Sequence, residues 1–261
     1  MKKILTLVAL TLFISNVFAQ DKLFLVFEMM KVDNEQEMAY METENFWEKI
    51  HQQRANTGDI IGWDLWQLSP GGEHQGYQYM TVTLHNEAAS MFEGGDFMKN
   101  VKVAYPDMSE EDVWKKLNQA GKTRDLAVRI YLEDIARTTG TNEMPLGTVA
   151  FLDFMKVGMG NYGQYEKAEM EVFQPMHQKE VDAGSKEFWS LMRIMLPVGS
   201  DTYASHITVN MFKDVASAVN ANPGSWDDLT AEQQKAIQDG IATRDMKKVV
   251  MATLVKKVRK N

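Results

Sequence analysis

The stretch "WEKIHQQRANTGDIIGWDLW" at residues 47–66 is followed later in the chain by a related stretch, "FQPMHQKEVDAGSKEFWSLM", at residues 173–192. Both contain the pattern His-x6-Gly-x4-Trp-x-Leu, which begins at His51 in the first copy and at His177 in the second. Because glycine tolerates the left-handed conformation that closes a helix, this pattern is typical of a helix end followed by a strand. Its recurrence indicates an internal duplication.

The duplication extends over nearly the whole chain. The further matching pairs are "FEMMKV" (27–32) with "LDFMKV" (152–157), "YMTVTLHNEAAS" (79–90) with "HITVNMFKDVAS" (206–217), and "SEEDVWKKLNQAGKTRDLAVRIYL" (109–132) with "TAEQQKAIQDGIATRDMKKVVMAT" (230–253). The pairs follow the same order in both halves, which a single chance match would not explain. We therefore expect a first repeat at 20–137 and a second at 148–261. The polar, Pro- and Gly-bearing segment 138–147 is the expected linker.

Each repeat is predicted to follow the order β-α-β-β-α-β, which is that of a ferredoxin-like unit, so the fold class is α+β. The predicted strands are 23–32, 62–68, 77–84, 128–135, 148–157, 188–196, 203–212 and 249–258, and the predicted long helices are 35–56 and 162–183. Pro175 should bend the second long helix, in which the alignment also shifts by one residue. Asn86 and Asp214 are expected to cap short helices, and Ser109 and Thr230 to begin further ones.

A ferredoxin-like sheet is covered by helices on one face only, so two copies can close their bare faces against each other. In the third strands an aliphatic row (Met80, Val82, Leu84 and Ile207, Val209, Met211) alternates with a polar row (Tyr79, Thr81, Thr83 and His206, Thr208, Asn210). We expect the aliphatic row to pack beneath the helices and the polar row to face either solvent or an enclosed polar space between the sheets.

With two βαββαβ repeats and the shared helix-Gly-Trp pattern, the chain resembles a tandem member of the dimeric α+β barrel superfamily. It is similar to NIPSNAP-like and antibiotic-biosynthesis-monooxygenase-like barrels, over nearly all of residues 23–259. The resemblance implies an intramolecular pseudo-dimeric barrel with an interior pocket. The superfamily includes oxygenases, haem enzymes, isomerases and proteins of unknown role, and it supplies no catalytic residue for a numbered position here.

A row of polar side chains is the predicted lining of a ligand pocket. It comprises Glu28, Asp153, Tyr79, Thr81, Thr83, His206, Thr208, Asn210, Arg129, Tyr131 and Arg193. Glu28 and Asp153 are equivalent in the two repeats, and carboxylates in a low-dielectric cavity can have raised pKa values that suit acid–base catalysis. The alternative is that both are paired with Arg129 or Arg193, since buried charges are normally paired.

Histidine, tryptophan and methionine each allow a structural and a functional interpretation. His51 and His177 are expected to bond the last carbonyls of their helices, which also favour a charged imidazole; the alternative is ligation of haem iron. The repeated tryptophans, Trp63 and Trp189, are expected to pack in the core. The 19 methionines are scattered like core fillers, so we predict no metal site, copper being the alternative.

The first nineteen residues have the features of a secretory signal peptide. Lys2 and Lys3 precede an apolar run, and small residues before position 20 favour cleavage after Ala19. We therefore expect a periplasmic or secreted protein without a membrane anchor after cleavage. The formal net charge of −8 argues against nucleic-acid binding. Because the duplication supplies the partner surface within one chain, a monomer or weak oligomer is expected.

These observations predict a barrel that binds a small apolar or aromatic molecule in its interior, without a cofactor. One alternative is an enzyme, either an oxygenase (cofactor-independent or haem-dependent) or an isomerase that uses Glu28 or Asp153 as base. The other alternative is an interaction module whose barrel is filled by side chains.

Overall fold

The computed structural model describes residues 22–140, 143–222 and 224–261, with the side chain of Glu73 left out. The predicted signal peptide, residues 1–19, and linker positions 141 and 142 lie outside the described residues. The strands are β1 (Phe24–Lys31), β2 (Gly62–Ser69), β3 (Tyr79–His85), β4 (Asp125–Arg137), β5 (Val149–Lys156), β6 (Phe188–Leu196), β7 (His206–Phe212) and β8 (Asp245–Arg259). The helices are α1 (Glu37–Thr57), α2 (Phe97–Ala104), α3 (Glu110–Ala120), α4 (Tyr162–Ala168), α5 (Gln174–Asp182), α6 (Val215–Val219) and α7 (Ala231–Ile241).

The eight strands close into one antiparallel barrel in the order β1-β3-β2-β8-β5-β7-β6-β4. The first half contributes the run β4-β1-β3-β2 and the second half the equivalent run β8-β5-β7-β6. The halves join where β2 pairs with β8 and where β4 pairs with β6. The predicted α+β class and pseudo-dimeric barrel are therefore confirmed. None of the described helices is both long enough and apolar enough to span a bilayer.

The long helix of the second repeat contains an extra residue. A π-helical turn at Glu169–Phe173 separates α4 from α5, and Pro175 follows at the start of α5. A π turn accommodates one additional residue in a helix. It explains why Tyr40 aligns with Tyr165, whereas His51 aligns with His177 one position further on. The shift in the sequence alignment is thus a local change in helix geometry.

Helix caps follow the sequence signals in most places. Ser109 accepts a hydrogen bond from the backbone N–H of Asp112 at 3.1 Å, and Thr230 forms a reciprocal capping box with Gln233. Asp214 caps α6 by accepting from the N–H of Ser217. The predicted cap at Asn86 is wrong, because only a single 3-10 turn follows it, at Ala89–Met91.

The barrel interior is the main hydrophobic core, and it contains the aliphatic row. Met80, Val82, Ile207 and Val209 belong to this core, and Leu84 and Met211 pack against it. The prediction that these side chains lie beneath the helices is therefore wrong. The polar row, which was expected in the interior, faces the helices instead. Its burial there is possible because the long helices carry polar side chains on the face that covers the sheet.

Candidate functional site

The end of the barrel at which β1 and β5 begin holds a cavity of about 240 Å³. We call it the carboxylate-end cavity. Its apolar lining includes Leu25, Phe27, Trp66, Val82, Ala150, Leu152, Met192 and Val209, and the charged side chains on it are Asp64, Asp134, Arg137 and Arg259. For comparison, an apolar cavity of about 150 Å³ holds benzene. On that scale the space suits a molecule of one or two fused rings.

The cavity forms because the second half carries smaller side chains at equivalent interior positions. The pairs are Leu25 and Ala150, Phe27 and Leu152, and Trp66 and Met192. Both members of each pair line the cavity, so it lies between the two halves. Met144 of the linker also lines it. The ammonium of Lys257 on β8 donates to the carbonyls of Glu143 and Met144 and so holds this part of the linker over the cavity.

The first ion pair at the cavity joins Asp64 of β2 to Arg259 of β8. It is bidentate, with distances of 2.7 and 2.9 Å, and Asp64 is 2% exposed. Burial raises the pKa of Asp64, and Arg259 opposes that rise. Gly62 leaves room for the guanidinium, because a Cβ at this position would lie 2.6 Å from Nη1 of Arg259 and 2.7 Å from the carbonyl oxygen of Val258.

The second ion pair lies on β4, where Nη1 of Arg137 is 2.9 Å from Oδ2 of Asp134. The side chain of Asp134 is 7% exposed. Burial raises the pKa of Asp134 to about 7, although Arg137 opposes the rise. Asp134 is therefore present in both protonation states near neutral pH, and it can donate or accept a proton at the edge of an apolar space.

The predicted pocket row lies outside this cavity, between the sheet and the helices. Glu28 forms an ion pair with Arg129 at 2.6 Å and accepts a hydrogen bond from Thr81 at 3.3 Å. The alternative of pairing with an arginine is thus confirmed for Glu28. Asp153 instead accepts hydrogen bonds from Thr208 at 3.0 Å and from Asn210 at 2.9 Å. Burial raises its pKa, and the bond from Thr208 opposes the rise.

Two further members of the row form a network with a glutamate that sequence reasoning missed. Both Nε and Nη2 of Arg193 lie 2.6 Å from the carboxylate of Glu166 on α4, and Nε2 of His206 lies 3.0 Å from Oε1 of the same carboxylate. Burial raises the pKa of Glu166, but the contacts with His206 and Arg193 outweigh it and lower that pKa to about 2. Glu166 is therefore ionised, and the network ties α4 to β6 and β7.

The aromatic members of the row pack against other rings. Tyr79 lies against Tyr40 of α1, with ring centroids 4.8 Å apart, and Tyr131 stacks on Phe92 at 4.6 Å. Thr83 lies on the same outer face of β3, opposite Trp63. The interpretation of the whole row as an interior lining is wrong, because alternation shows that a strand has two faces and does not show which face the helices cover. A ligand-binding role for these residues stays a prediction.

A buried Tyr-Glu-Arg cluster occurs once under each long helix. Nε of Arg124 lies 3.5 Å from Oε1 of Glu44 beside Tyr40, and in the second half Nη1 of Arg244 lies 3.5 Å from Oε1 of Glu169 beside Tyr165. The two glutamates are 1% and 2% exposed, and burial raises the pKa of each to about 7. Tyrosine, glutamate and arginine occur at matching positions of the two repeats, so the clusters could have been predicted from the repeat in the sequence.

The repeated histidines stack on the repeated tryptophans. The ring centroids of His51 and Trp63 are 4.9 Å apart, and those of His177 and Trp189 are 5.1 Å apart. Burial lowers the pKa of both histidines. Nδ1 of His51 meets Nη1 of Arg54 at 3.2 Å and Nδ1 of His177 meets Oε2 of Glu180 at 3.0 Å, so the expected bonds to the last helix carbonyls are wrong. Core packing of the tryptophans, each 1% exposed, is confirmed.

The side chains do not fit the haem alternative. Haem iron requires an axial ligand with open space beside it. His51 and His177 have a tryptophan against one ring face, and none of the described histidines lines the carboxylate-end cavity. Among the described residues no group of three or more histidine, aspartate or glutamate side chains converges as a metal site. Met38 and Met41, three positions apart at the start of α1, are the methionine pair whose spacing would suit copper, but Met38 is 83% exposed while Met41 packs inward, so the two do not converge.

Solved structures share this fold at low sequence identity. A proposed monooxygenase from Lactobacillus acidophilus superposes with a TM-score of 0.57 at 8% identity, over 93% of this chain and 98% of that chain. An anthrone oxidase-like protein gives a TM-score of 0.53 at 11% identity, over 92% and 94%. A variant of the chlorite dismutase from Candidatus Nitrospira defluvii, in complex with cyanide, gives 0.50 at 9% identity, over 90% and 91%.

These similarities establish the fold alone. No protein-family model matches the sequence, and no curated protein matches it. The resemblance to dimeric α+β barrels is thus confirmed at the level of architecture. The narrower resemblance to NIPSNAP-like tandem proteins stays a prediction.

Proposed function

We propose that the protein binds one small, uncharged, apolar molecule of one or two rings in the carboxylate-end cavity. The observation that carries the proposal is the cavity itself, an apolar space of about 240 Å³ at one end of the barrel core. Binding pockets are typically apolar with a few placed polar groups. Here those groups are two carboxylate–guanidinium pairs, which orient a ligand that carries a hydroxyl or carbonyl group.

The charges at the cavity favour a neutral ligand. Asp64 is already matched by the bidentate Arg259, and Asp134 lies against Arg137. A charged ligand would have to displace one of these partners, which leaves a buried charge unpaired at a cost of about 3–5 kcal/mol. A neutral molecule disturbs neither pair. We place this binding in the periplasm or outside the cell, as residues 1–19 predict.

The test is a titration with 1-naphthol, which is neutral at pH 7, monitored by isothermal calorimetry. We expect the unaltered protein to bind it and Ala150→Phe, which fills the cavity from β5, to lose binding. Ala204→Phe is the matched control, because Ala204 is also a buried interior alanine but lies at the opposite end of the barrel. Equal affinity of the Ala150→Phe variant and the unaltered protein would refute the proposal.

A second candidate function is oxygenation of the bound molecule, and the position of Asp134 favours it. Its carboxyl group borders the cavity with a pKa of about 7. As base, it would remove a proton from an activated CH2 group, and molecular oxygen as co-reactant would convert CH2 to a carbonyl with release of water. Proteins of this fold include a proposed monooxygenase and an anthrone oxidase-like protein.

The test for this candidate is oxygen uptake with 2-tetralone, a two-ring ketone whose CH2 group at position 1 is activated by both the ring and the carbonyl, compared between the unaltered protein and Asp134→Asn. We expect the variant to lose activity and to retain 1-naphthol binding, since the substitution preserves shape. No oxygen uptake above the rate without protein would reject the oxygenase candidate and leave the binding proposal intact.

A further inference from the structure

The opposite end of the barrel holds a second cavity, of about 430 Å³. We call it the lysine-end pocket, and it is lined by Met29, Tyr77, Val128, Phe154, Tyr203 and Lys248 among others. A packed layer separates it from the carboxylate-end cavity. Met29 and Phe154 form the side of this layer toward the lysine, and Met80 and Leu152 form the side toward the carboxylates. The two ends are therefore separate sites.

Lys248 provides a positive charge that the described side chains do not neutralise. Its Nζ lies 4.9 Å from the ring centroid of Tyr77 and 3.5 Å from the Tyr77 hydroxyl, and no described carboxylate lies within ion-pair distance. Neighbouring lysines differ in this respect. Lys156 donates to oxygens of Gly199 and Thr202, and Lys247 forms an ion pair with Asp245 at 2.7 Å. An ammonium carries three donors, so Lys248 can accept an anionic partner.

The pocket has one polar wall and one apolar wall because the two repeats differ here. Lys248 of β8 occupies the position that Val128 occupies in β4, and both line the pocket. Tyr77 corresponds in the same way to Ala204, which also lines it. Lys248 and Tyr77 thus each have a small apolar counterpart in the other repeat. A molecule with a charged end and an apolar body matches this arrangement.

We propose that the lysine-end pocket binds a monoanionic carboxylate with an aromatic or short aliphatic body. The ammonium of Lys248 and the hydroxyl of Tyr77 receive the carboxylate, and Met29, Val128 and Phe154 pack against the body. One lysine supplies a single positive charge, which a monoanionic carboxylate neutralises, whereas a dianionic phosphate would keep one charge without a partner. The apolar wall contributes by removing the apolar body of the ligand from water.

The experiment is a calorimetric titration of the full-length mature protein with 1-naphthoate at pH 7 and low salt. We expect Lys248→Met to weaken naphthoate binding at least tenfold. Lys247→Met is the matched control, because it removes the same charge from the adjacent position outside the pocket, and its affinity should stay within twofold. In the Ala150→Phe background, which fills the other cavity, the uncharged analogue 1-naphthylmethanol should bind equally with and without Lys248→Met.

Variants that fill one of the two cavities show which cavity binds naphthoate, and they distinguish this proposal from the proposed function. Ala204→Phe should abolish naphthoate binding, and Ala150→Phe should leave it unchanged. The proposal is overturned if naphthoate does not bind the unaltered protein at millimolar concentration, if Lys248→Met binds it as the unaltered protein does, or if Ala150→Phe alone removes binding. None of these results bears on 1-naphthol at the other end.

Discussion

Ala150→Leu tests the carboxylate-end cavity through stability, without a ligand. Ala150 is 2% exposed and corresponds to Leu25 of the first repeat, so the substitution copies a side chain that the barrel already holds at the equivalent position. Leucine adds roughly three methylene equivalents, each worth about 0.8 kcal/mol when buried. If the new atoms enter empty space, the free energy of unfolding rises by up to about 2 kcal/mol.

Ala252→Leu is the matched control. Ala252 is an interior alanine of the same repeat, is 0% exposed, and corresponds to Leu132 of the first repeat. It belongs to the packed core but does not line the cavity. Overpacking of a filled core typically costs about 1–3 kcal/mol, so this variant should lose stability.

The assay is urea unfolding followed by far-UV circular dichroism, with thermal melts as a second measure. The two variants should shift in opposite directions, and each kcal/mol corresponds to about 2–4 °C in Tm for a chain of this size. If Ala150→Leu loses as much stability as Ala252→Leu, the space beside Ala150 does not exist in solution. The binding proposal would then lose its basis as well.

Two further predictions concern the buried charges. Because burial raises the pKa of Glu44 and of Glu169 from the ordinary 4.5 to about 7, their contribution is fully present below pH 4.5 and is lost as pH rises toward 7. Between pH 5 and pH 7.5 the Glu→Gln variants should therefore gain stability relative to the unaltered protein, by at most roughly 3 kcal/mol each at about 1.4 kcal/mol per pKa unit. Urea unfolding midpoints measured across that pH range check this prediction. A difference in stability between variant and unaltered protein that stays the same at every pH contradicts it. Asp64→Ala should lower the free energy of unfolding by about 1–3 kcal/mol, because it removes the partner of Arg259, whose side chain is 31% exposed and can be partly hydrated. The double variant Asp64→Ala with Arg259→Met should recover part of that loss in the same assay, and no recovery would show that the pair is not coupled.

The buried histidines also titrate, so their contribution must be separated from that of Glu44 and Glu169. Burial lowers the pKa of His51, His177 and His206, so their contribution is present above pH 6.5 and is lost as pH falls. This trend opposes that of the glutamates in the unaltered protein. Comparing each Gln variant with the unaltered protein at every pH cancels the histidine contribution, which both share. The attraction between each glutamate and its arginine exists only when the glutamate is ionised, and it opposes the rise of the glutamate pKa. It is therefore already included in the expected slope.

The repeat predicted the architecture because both halves meet the same packing requirements. Gly58 and Gly184 close equivalent helices with φ of 84° and 72°, and Trp63 and Trp189 are buried at equivalent strand starts. Residues with such roles resist change in either copy. Their spacing therefore indicates helix ends and strand starts in both halves.

The carboxylate-end cavity was harder to predict because its charged residues differ between the two repeats. Asp64 corresponds to Ser190 and Asp134 to Leu254, so a search for matched positions passed over both carboxylates. The cavity is also invisible in sequence, since it arises from a volume difference between facing positions. The polar row was wrongly predicted to line the interior for another reason. In a closed barrel both strand faces are covered, so polarity no longer marks the exposed face.

Because the two repeats differ in sequence, the two sides of the barrel interior carry different side chains at each end, which they would not in a symmetric dimer. Two identical subunits would present the same side chain twice across the barrel axis, so an asymmetric ligand would bind in two orientations of equal energy. In this chain Leu25 faces Ala150 at one end, and Val128 faces Lys248 at the other. Each difference favours one orientation. Fusion of the halves therefore allows the interior to select how a molecule lies as well as whether it binds.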